Sequence, residues 1–251
     1  MRPKSADWYK KIWSLDIKNM SWVEETETQV DFIIRTLGLS GTERILDLAC
    51  GYGRHALSLA RRGFSVVGVD ITEVYIDDAR KTAQGMTNAA FILSDIRDVC
   101  FCEEFDVVLS LADGAIGYLE SDEENLKIFD VIARALKPGG KHFMDVCNAE
   151  HAEAFFPRRG WEIGEKEFSF SEFEWDPATR RMLFGGGGFT YGEIAQKPQQ
   201  LEGDPTRLYS LDELAVILRE RGMRIVSAFS DYAGKEASPK ALQLMVYSVK
   251  E

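Results

Sequence analysis

The segment from Glu43 to Gly63, ERILDLACGYGRHALSLARRG, constrains this chain more than any other, because it reads as strand, glycine turn and helix without a break. Ile45, Leu46 and Leu48 make a short apolar run suited to a strand buried on both faces. Asp47 interrupts that run near its carboxyl end, where a buried carboxylate needs a partner. Gly51 and Gly53 lack a Cβ, so the turn can take positive φ and its backbone can come close to a ligand. His55 to Arg62 continues as a helix, and a second apolar strand, Ser65 to Val69, stops at Asp70. Each piece alone is an ordinary strand-to-helix turn. Their succession favours a bound ligand at the turn.

Composition narrows the class of that ligand. Of 251 residues, 41 are acidic and 30 basic, for a formal net charge of −11, and no long Lys/Arg cluster occurs. The balance disfavours nucleic acid as a partner. The amino terminus, MRPKSADWYKK, has no apolar core of a secretory signal, and no apolar run reaches membrane-spanning length. Cys50, Cys100, Cys102 and Cys147 are few and scattered, which predicts a reducing cytoplasm rather than a disulfide framework. Cys100 and Cys102 form a single C-x-C and the chain has three histidines, His55, His142 and His151, so no metal site is expected.

The order of elements predicts the fold class. From Ser21 to Leu37, Val23, Val30, Ile33, Ile34 and Leu37 recur at helical spacing, with Gly38 closing the run. Thr72 reads as the N-cap of a helix ending near Gln84, and Ala90 to Ser94 as a third strand before Asp95. Phe105 to Leu111 reads as a fourth strand and Asn125 to Leu136 as a helix stopped by Lys137-Pro-Gly-Gly140. Lys141 to Cys147 is a fifth strand; helix Leu211 to Arg221, capped by Ser210 and Glu213, and strands Arg224 to Ser230 and Leu242 to Val249 follow. Alternation at this spacing predicts an α/β, doubly wound, mostly parallel seven-stranded sheet, with ligands outside the carboxyl ends of its strands.

Between about His151 and Arg207 the pattern becomes aromatic alternation, read as an antiparallel β insertion with Gly185 to Gly188 as a bulge or bend. The predicted organisation is therefore a helical cap or lid over 1–40, a ligand-binding core over 41–150 and 208–251, and an insertion over 151–207. The insertion's aromatics serve as its own core, or else as a substrate cover or homodimer contact.

Asp70 lies at the tip of the second strand, where a carboxylate accepts from the paired hydroxyls of a ribose. Both NAD and S-adenosylmethionine carry such a ribose. Gly51-Tyr-Gly53-Arg-His-Ala56 satisfies G-x-G-x-x-A, so a nicotinamide oxidoreductase is one reading. Asp47 four residues before Gly51, Asp95 at the third strand tip and the Lys137 to Gly140 turn favour the other.

With those features the chain resembles the class I S-adenosylmethionine-dependent methyltransferases, whose first motif is D-x-G-x-G-x-G. Here it reads Asp47-Leu-Ala49-Cys-Gly51-Tyr-Gly53, with Ala49 at the first glycine, a mild departure if Ala49 is extended. DLACG-x-GRHAL, FDVVL, the Gly117-Tyr118 turn, LKPGG and an insertion ending in R-L-Y are similar to a small-molecule subgroup. The resemblance implies a Rossmann-like methyltransferase fold and S-adenosyl-L-methionine as cofactor, with S-adenosyl-L-homocysteine as product. It implies that Asp47, Ala49, Cys50, Gly51 and Gly53 hold the methionine portion and Asp70 the ribose. By the same resemblance Ile71 packs on adenine, Asp95 accepts from the adenine amino group, the Ile96 N–H donates to a ring nitrogen, and Leu111 borders the sulfonium. Trp8, Tyr9 and Trp13 form a lid, or else an ordinarily packed terminal segment.

Methyl transfer from a sulfonium is an in-line displacement that needs positioning above all, and a base only for a protonated nucleophile. The expected acceptor is a nitrogen or oxygen of a small molecule. Asp113, Tyr118, His151, Arg207 and Tyr209 fall near the predicted mouth and are the catalytic candidates. Asp113 beside Gly114 also suits a plain turn, and Arg207 a surface ion pair; facing the mouth, Arg207 would select a carboxylate-bearing substrate. A cofactor-binding module without transfer activity is the third reading.

Overall fold

The computed structural model describes residues 1–19, 23–165, 167–194 and 201–251. Ser21, where the first predicted helix was taken to begin, and residues 166 and 195–200 of the predicted insertion lie outside them. The chain opens with a two-residue strand, β1 (Arg2–Pro3), and two 3-10 turns at Trp8–Lys10 and Leu15–Asn19. Helix α1 (Thr26–Leu37) then buries Val30, Ile33 and Leu37, each contributing about 1.5–3 kcal/mol, and ends at Gly38 with left-handed φ +58°.

The αβ alternation follows: β2 (Arg44–Leu48), α2 (Arg54–Arg61), β3 (Ser65–Asp70), α3 (Glu73–Thr82), β4 (Ala89–Leu93), β5 (Phe105–Ser110), α4 (Asp122–Ala135) and β6 (Leu136–Cys147). After α5 (Ala149–Phe155) come β7 (Arg158–Ile163), β8 (Glu167–Asp176), β9 (Arg181–Thr190) and β10 (Glu202–Arg207). Helix α6 (Leu211–Arg219) and strands β11 (Met223–Phe229) and β12 (Gln243–Lys250) complete the chain.

Seven strands form one sheet in the order β11-β12-β6-β5-β2-β3-β4. The five from β6 to β4 are parallel, and β12 runs antiparallel to both neighbours. Apolar groups of α1, α2 and α3 cover one face and those of α4 and α6 the other. The near-continuous apolar runs of β2, β3 and β5 follow from that double cover. The chain builds outward from β2 through β3 to β4, then returns to lay β5 on the other side of β2. Ligand clefts open where the winding reverses, above the carboxyl ends of β2 and β5.

The remaining strands make a second sheet, β1-β10-β9-β8-β7, antiparallel except for β1 beside β10. Phe156, Phe173 and Trp175 pack with Met182 and Leu208 against Ala149 and Ala152 of α5, while Trp161, Ile163 and Tyr191 stay exposed. The glycine run corrects one expectation. Strand β9 passes through Gly185 to Gly188 without a register shift. A Cβ would stand 2.5 Å from the Phe170 carbonyl at Gly186 and 2.9 Å from the Phe170 ring at Gly187, so the run admits β8 instead of bending the strand.

Candidate active site

A cleft lies at the reversal point, lined on one side by the β2–α2 turn and on the other by residues after β3, β4 and β5. Asp70 ends β3 and is buried. Its Oδ2 accepts the Gly51 N–H and its Oδ1 the Thr72 N–H, both at 2.8 Å. Each carboxylate oxygen has two lone pairs, so both can accept a further donor, as a vicinal diol requires. Burial raises its pKa against those backbone donors. The Thr72 side chain makes no capping bond, so α3 starts from the Asp70 carboxylate's hold on Thr72 rather than from the threonine hydroxyl.

Asp95 follows β4 and is gripped by Arg97, Nε to Oδ1 at 3.0 Å and Nη2 to Oδ2 at 2.6 Å. Burial would raise its pKa, but the Arg97 bonds outweigh it and hold the carboxyl below its usual range. The same guanidinium reaches Glu124 at 2.6 Å and Glu120 at 3.1 Å, and Glu120 accepts from the Tyr9 hydroxyl at 2.9 Å. That network ties the amino-terminal segment to the cleft. Ile71, Ile96 and Leu119 supply apolar walls beside Asp70 and Asp95.

Of the other predicted cofactor residues, Tyr9, Ala49, Gly51 and Leu111 line the cleft, whereas Asp47, Cys50 and Gly53 stand behind it. Asp47 faces the layer of α1–α3 and takes a backbone N–H from Ala56; burial pushes its carboxyl up to about 7. Cys50 is buried, its sulfur packed where Gly68 has no Cβ, and a Cβ on Gly53 would lie 2.6 Å from the Phe91 ring. Both tighten the turn against β3 and β4. Ala49 is not extended: its φ is +56°, the left-handed region that favours glycine.

The segment after β5 holds the longest run of consecutive positive-φ residues among the described residues. Ala112, Asp113, Gly114 and Ala115 all have positive φ, between +50° and +69°. Such strain gathers where a fold over-determines a binding wall. Tyr118 follows, 4.9 Å from Trp8 by ring centroids and stacked on Trp13 at 6.4 Å and 16°. Trp13, Ile17, Arg54, Ala112 and Tyr118 line the cleft and also a second, larger compartment, so the two cavities share a wall.

A methyltransferase-domain family profile matches residues 45–140 of the chain. A protein of Geobacillus sp. (strain WCH70) named as a methyltransferase is 29% identical over 248 residues, covering 94% of this chain and 95% of the relative. The cypemycin N-terminal methyltransferase of a Streptomyces species is 26% identical over 204 residues, 80% of this chain and 81% of its own. The solved CcbJ methyltransferase of Streptomyces caelestis shares the fold with a TM-score of 0.78 at 18% identity, over 96% of this chain and 100% of that one. Residues 45–140 thus match the methyltransferase domain family, and over most of its length the chain is similar to proteins named as methyltransferases.

In this chain the catalytic candidates separate sharply. Asp113 and Tyr118 line the second compartment, with the Tyr118 hydroxyl donating to Asp113 Oδ2 at 2.9 Å. His151, Arg207 and Tyr209 line neither cavity. His151 is buried on α5 with Nδ1 3.2 Å from the Pro239 carbonyl and its ring on Phe155. Arg207 pairs with Glu213 at 2.6 Å, lies 3.5 Å from Asp122 and donates to the Leu208 carbonyl. Its side chain stacks on Tyr209, so the guanidinium is engaged inside the fold and faces neither cavity. Tyr209 is buried against Phe129, and burial pushes its phenol up to about 12.

Sequence reasoning missed Arg54, Asp145 and Tyr232, which line the second compartment. Arg54 and His55 open α2 and both reach Gln29 Oε1 from α1, Arg54 Nη1 at 2.7 Å and His55 Nε2 at 2.8 Å. Asp145 lies on β6, opposite Met245 of β12, and Tyr232 follows β11. The Tyr232 hydroxyl donates to Asp145 Oδ2 at 2.7 Å. Burial pushes the Asp145 carboxyl up to about 7; Tyr232 and Arg54 oppose that shift and Asp113 adds to it.

Proposed function

We propose that the chain binds S-adenosyl-L-methionine in the cleft of Asp70 and Asp95 and methylates a nitrogen or oxygen of a small molecule in the adjoining compartment. The shared wall of Trp13, Arg54, Ala112 and Tyr118 carries this reading, because two contiguous cavities suit two substrates that must meet. When bound, S-adenosylmethionine would supply a methyl group on a cationic sulfonium, whose sulfur keeps the electron pair of the broken C–S bond and leaves as a neutral thioether. The donor set fits it: Asp70 can accept from a ribose diol, the remaining lone pair of Asp95 Oδ2 from an amino group, and Ile71 and Ile96 flank an apolar ring.

The protein's own part is placement and exclusion of water. Tyr9, Trp13 and Tyr118 cover the cleft, and the Arg97 network holds that cover in place. Orientation of this kind supplies much of the acceleration available to an in-line displacement. The name of the cypemycin N-terminal methyltransferase supports nitrogen as one acceptor atom. The acidic net charge supports a small-molecule partner over nucleic acid, and four free cysteines support a cytoplasmic setting. Among the described residues no helix is long and apolar enough to cross a membrane.

Thermal unfolding with S-adenosylhomocysteine and with NAD tests the reading, since a ligand that binds only the native state raises the midpoint. S-adenosylhomocysteine raises it and NAD does not. Stabilisation by NAD alone would sink the proposal.

A further inference from the structure

The second compartment is acid-rich and contains a carboxyl oxygen that the protein leaves unused. Its wall carries Glu25, Asp113, Asp145 and Asp231 against one guanidinium, Arg54. Asp145 is only 5% exposed, and while its Oδ2 accepts from Tyr232, its Oδ1 has no hydrogen-bond partner among the described residues. Leaving a buried acceptor unsatisfied costs about 1–3 kcal/mol, which a donor entering the compartment would recover.

Neighbouring groups shape what that donor can be. The Asp113 N–H donates to the Asp145 carbonyl at 2.8 Å, so the tips of β5 and β6 are locked together with both carboxyls at one end of the compartment. Each carboxyl takes one phenol, Tyr118 on Asp113 and Tyr232 on Asp145. Cys147 and Met245 complete that end, and Trp13 and Tyr118 present stacked aromatic rings beside it. Carboxyls and aromatic faces together attract a cation, and they repel an anion.

We propose that the compartment binds the methyl acceptor as an aliphatic ammonium ion held by Asp145 Oδ1, and that Asp145 takes the proton whose loss frees the nitrogen lone pair. This rests on the methyl-transfer reading and narrows its acceptor from nitrogen or oxygen to an amine. In the step, one N–H bond breaks, its electron pair stays on nitrogen, and the proton forms an O–H bond on Asp145. The nitrogen lone pair is then free to take the methyl group, and the proton leaves Asp145 for solvent with product. Tyr232 is a positioning residue that fixes the carboxyl from behind. A carboxyl held near neutrality by burial suits such a transfer.

Calorimetry on the full chain loaded with S-adenosylhomocysteine tests this with three ring compounds of one shape: cyclohexylamine, cyclohexanol and cyclohexanecarboxylate. The amine binds about tenfold more tightly than the alcohol, the order of one buried charge-assisted contact, and the carboxylate most weakly. In Asp145→Asn the preference for amine over alcohol disappears while S-adenosylhomocysteine affinity persists. Equal binding of amine and alcohol, preference for the carboxylate, absence of amine binding, or an unchanged preference in folded Asp145→Asn would each overturn the proposal. The ranking on the native protein needs no variant, so it decides even if Asp145→Asn fails to fold. Failure of S-adenosylhomocysteine itself to bind would instead overturn the methyl-transfer reading.

Discussion

The cleft of Asp70 and Asp95 and the second compartment share Trp13 and Tyr118 yet hold their carboxylates differently. In the cleft, Asp70 is fixed by two backbone N–H groups and Asp95 by a forked guanidinium, so each oxygen already has a donor and a set direction. In the compartment, Asp145 has one phenol on one oxygen and, among the described residues, no hydrogen-bond partner on the other. The first arrangement suits recognition, in which a carboxylate stays put and reads hydroxyl and amino donors. The second suits proton movement, in which a carboxyl must change state during each turnover.

The sharpest way to break that contrast is Asp70→Ala. The variant removes the acceptor for two ligand hydroxyls and strands the Gly51 and Thr72 N–H groups. With hydrogen bonds to charged groups contributing about 1.5–3 kcal/mol each, S-adenosylhomocysteine affinity falls about 100-fold or more by calorimetry. A change within threefold would remove Asp70 from the cofactor's recognition. A smaller effect tests the other side. Burial holds the folded pKa of Asp145 near 7, above its unfolded value, so the stability it contributes is complete below about pH 4 and is lost as pH rises through 7. Asp47 follows the same rule. Asp145→Asn removes one such contribution, and the decline in unfolding free energy between about pH 5 and 7 becomes shallower by about 2 kcal/mol. Urea titrations at a series of pH values read this directly, and parallel curves for parent and variant would place the Asp145 carboxyl in an ordinary, ionised state.

The two regions also differ in how far the chain announces them. Asp70, Ile71, Asp95, Ile96 and Leu111 each stand at a strand end or shortly after it, because every parallel strand delivers its following residues to the same edge of the sheet. Sequence order alone places them. The compartment gathers Gln29 from α1, Arg54 from α2, Asp145 from β6 and Tyr232 from after β11, a set that only tertiary packing assembles. Asp145 carried a signal nonetheless: it interrupts KHFMDVC as Asp47 interrupts ILDL, and a lone carboxylate in a buried strand demands a partner in both cases. For Arg207 the ion-pair reading holds, but the sequence could not name its partners. Its partners Glu213 and Asp122 stand at the starts of α6 and α4, and nothing local in R-L-Y foretells that they converge on it. The glycine run of β9 likewise has its cause on another strand, in Phe170 of β8.

Ala49 gives the smallest and most local test, on the cleft side alone. It lines the cleft at φ +56°, where a Cβ costs about 1–2 kcal/mol relative to the right-handed region. Ala49→Gly relieves that strain but frees the unfolded chain, which returns about 0.4–1 kcal/mol. The difference leaves the glycine variant more stable by about 0.5 kcal/mol, a rise in melting temperature of about 1–2 °C for a chain of this size. Differential scanning calorimetry resolves such a shift. Because the Gly51 N–H to Asp70 bond does not depend on the Ala49 side chain, affinity for S-adenosylhomocysteine stays within about twofold. A lower melting temperature would mean that the methyl group of Ala49 packs well enough to outweigh its backbone strain. Weaker cofactor affinity with unchanged stability would mean that the strained turn is held ready for the ligand, and that its alanine is part of the cleft's rigidity rather than a tolerated departure.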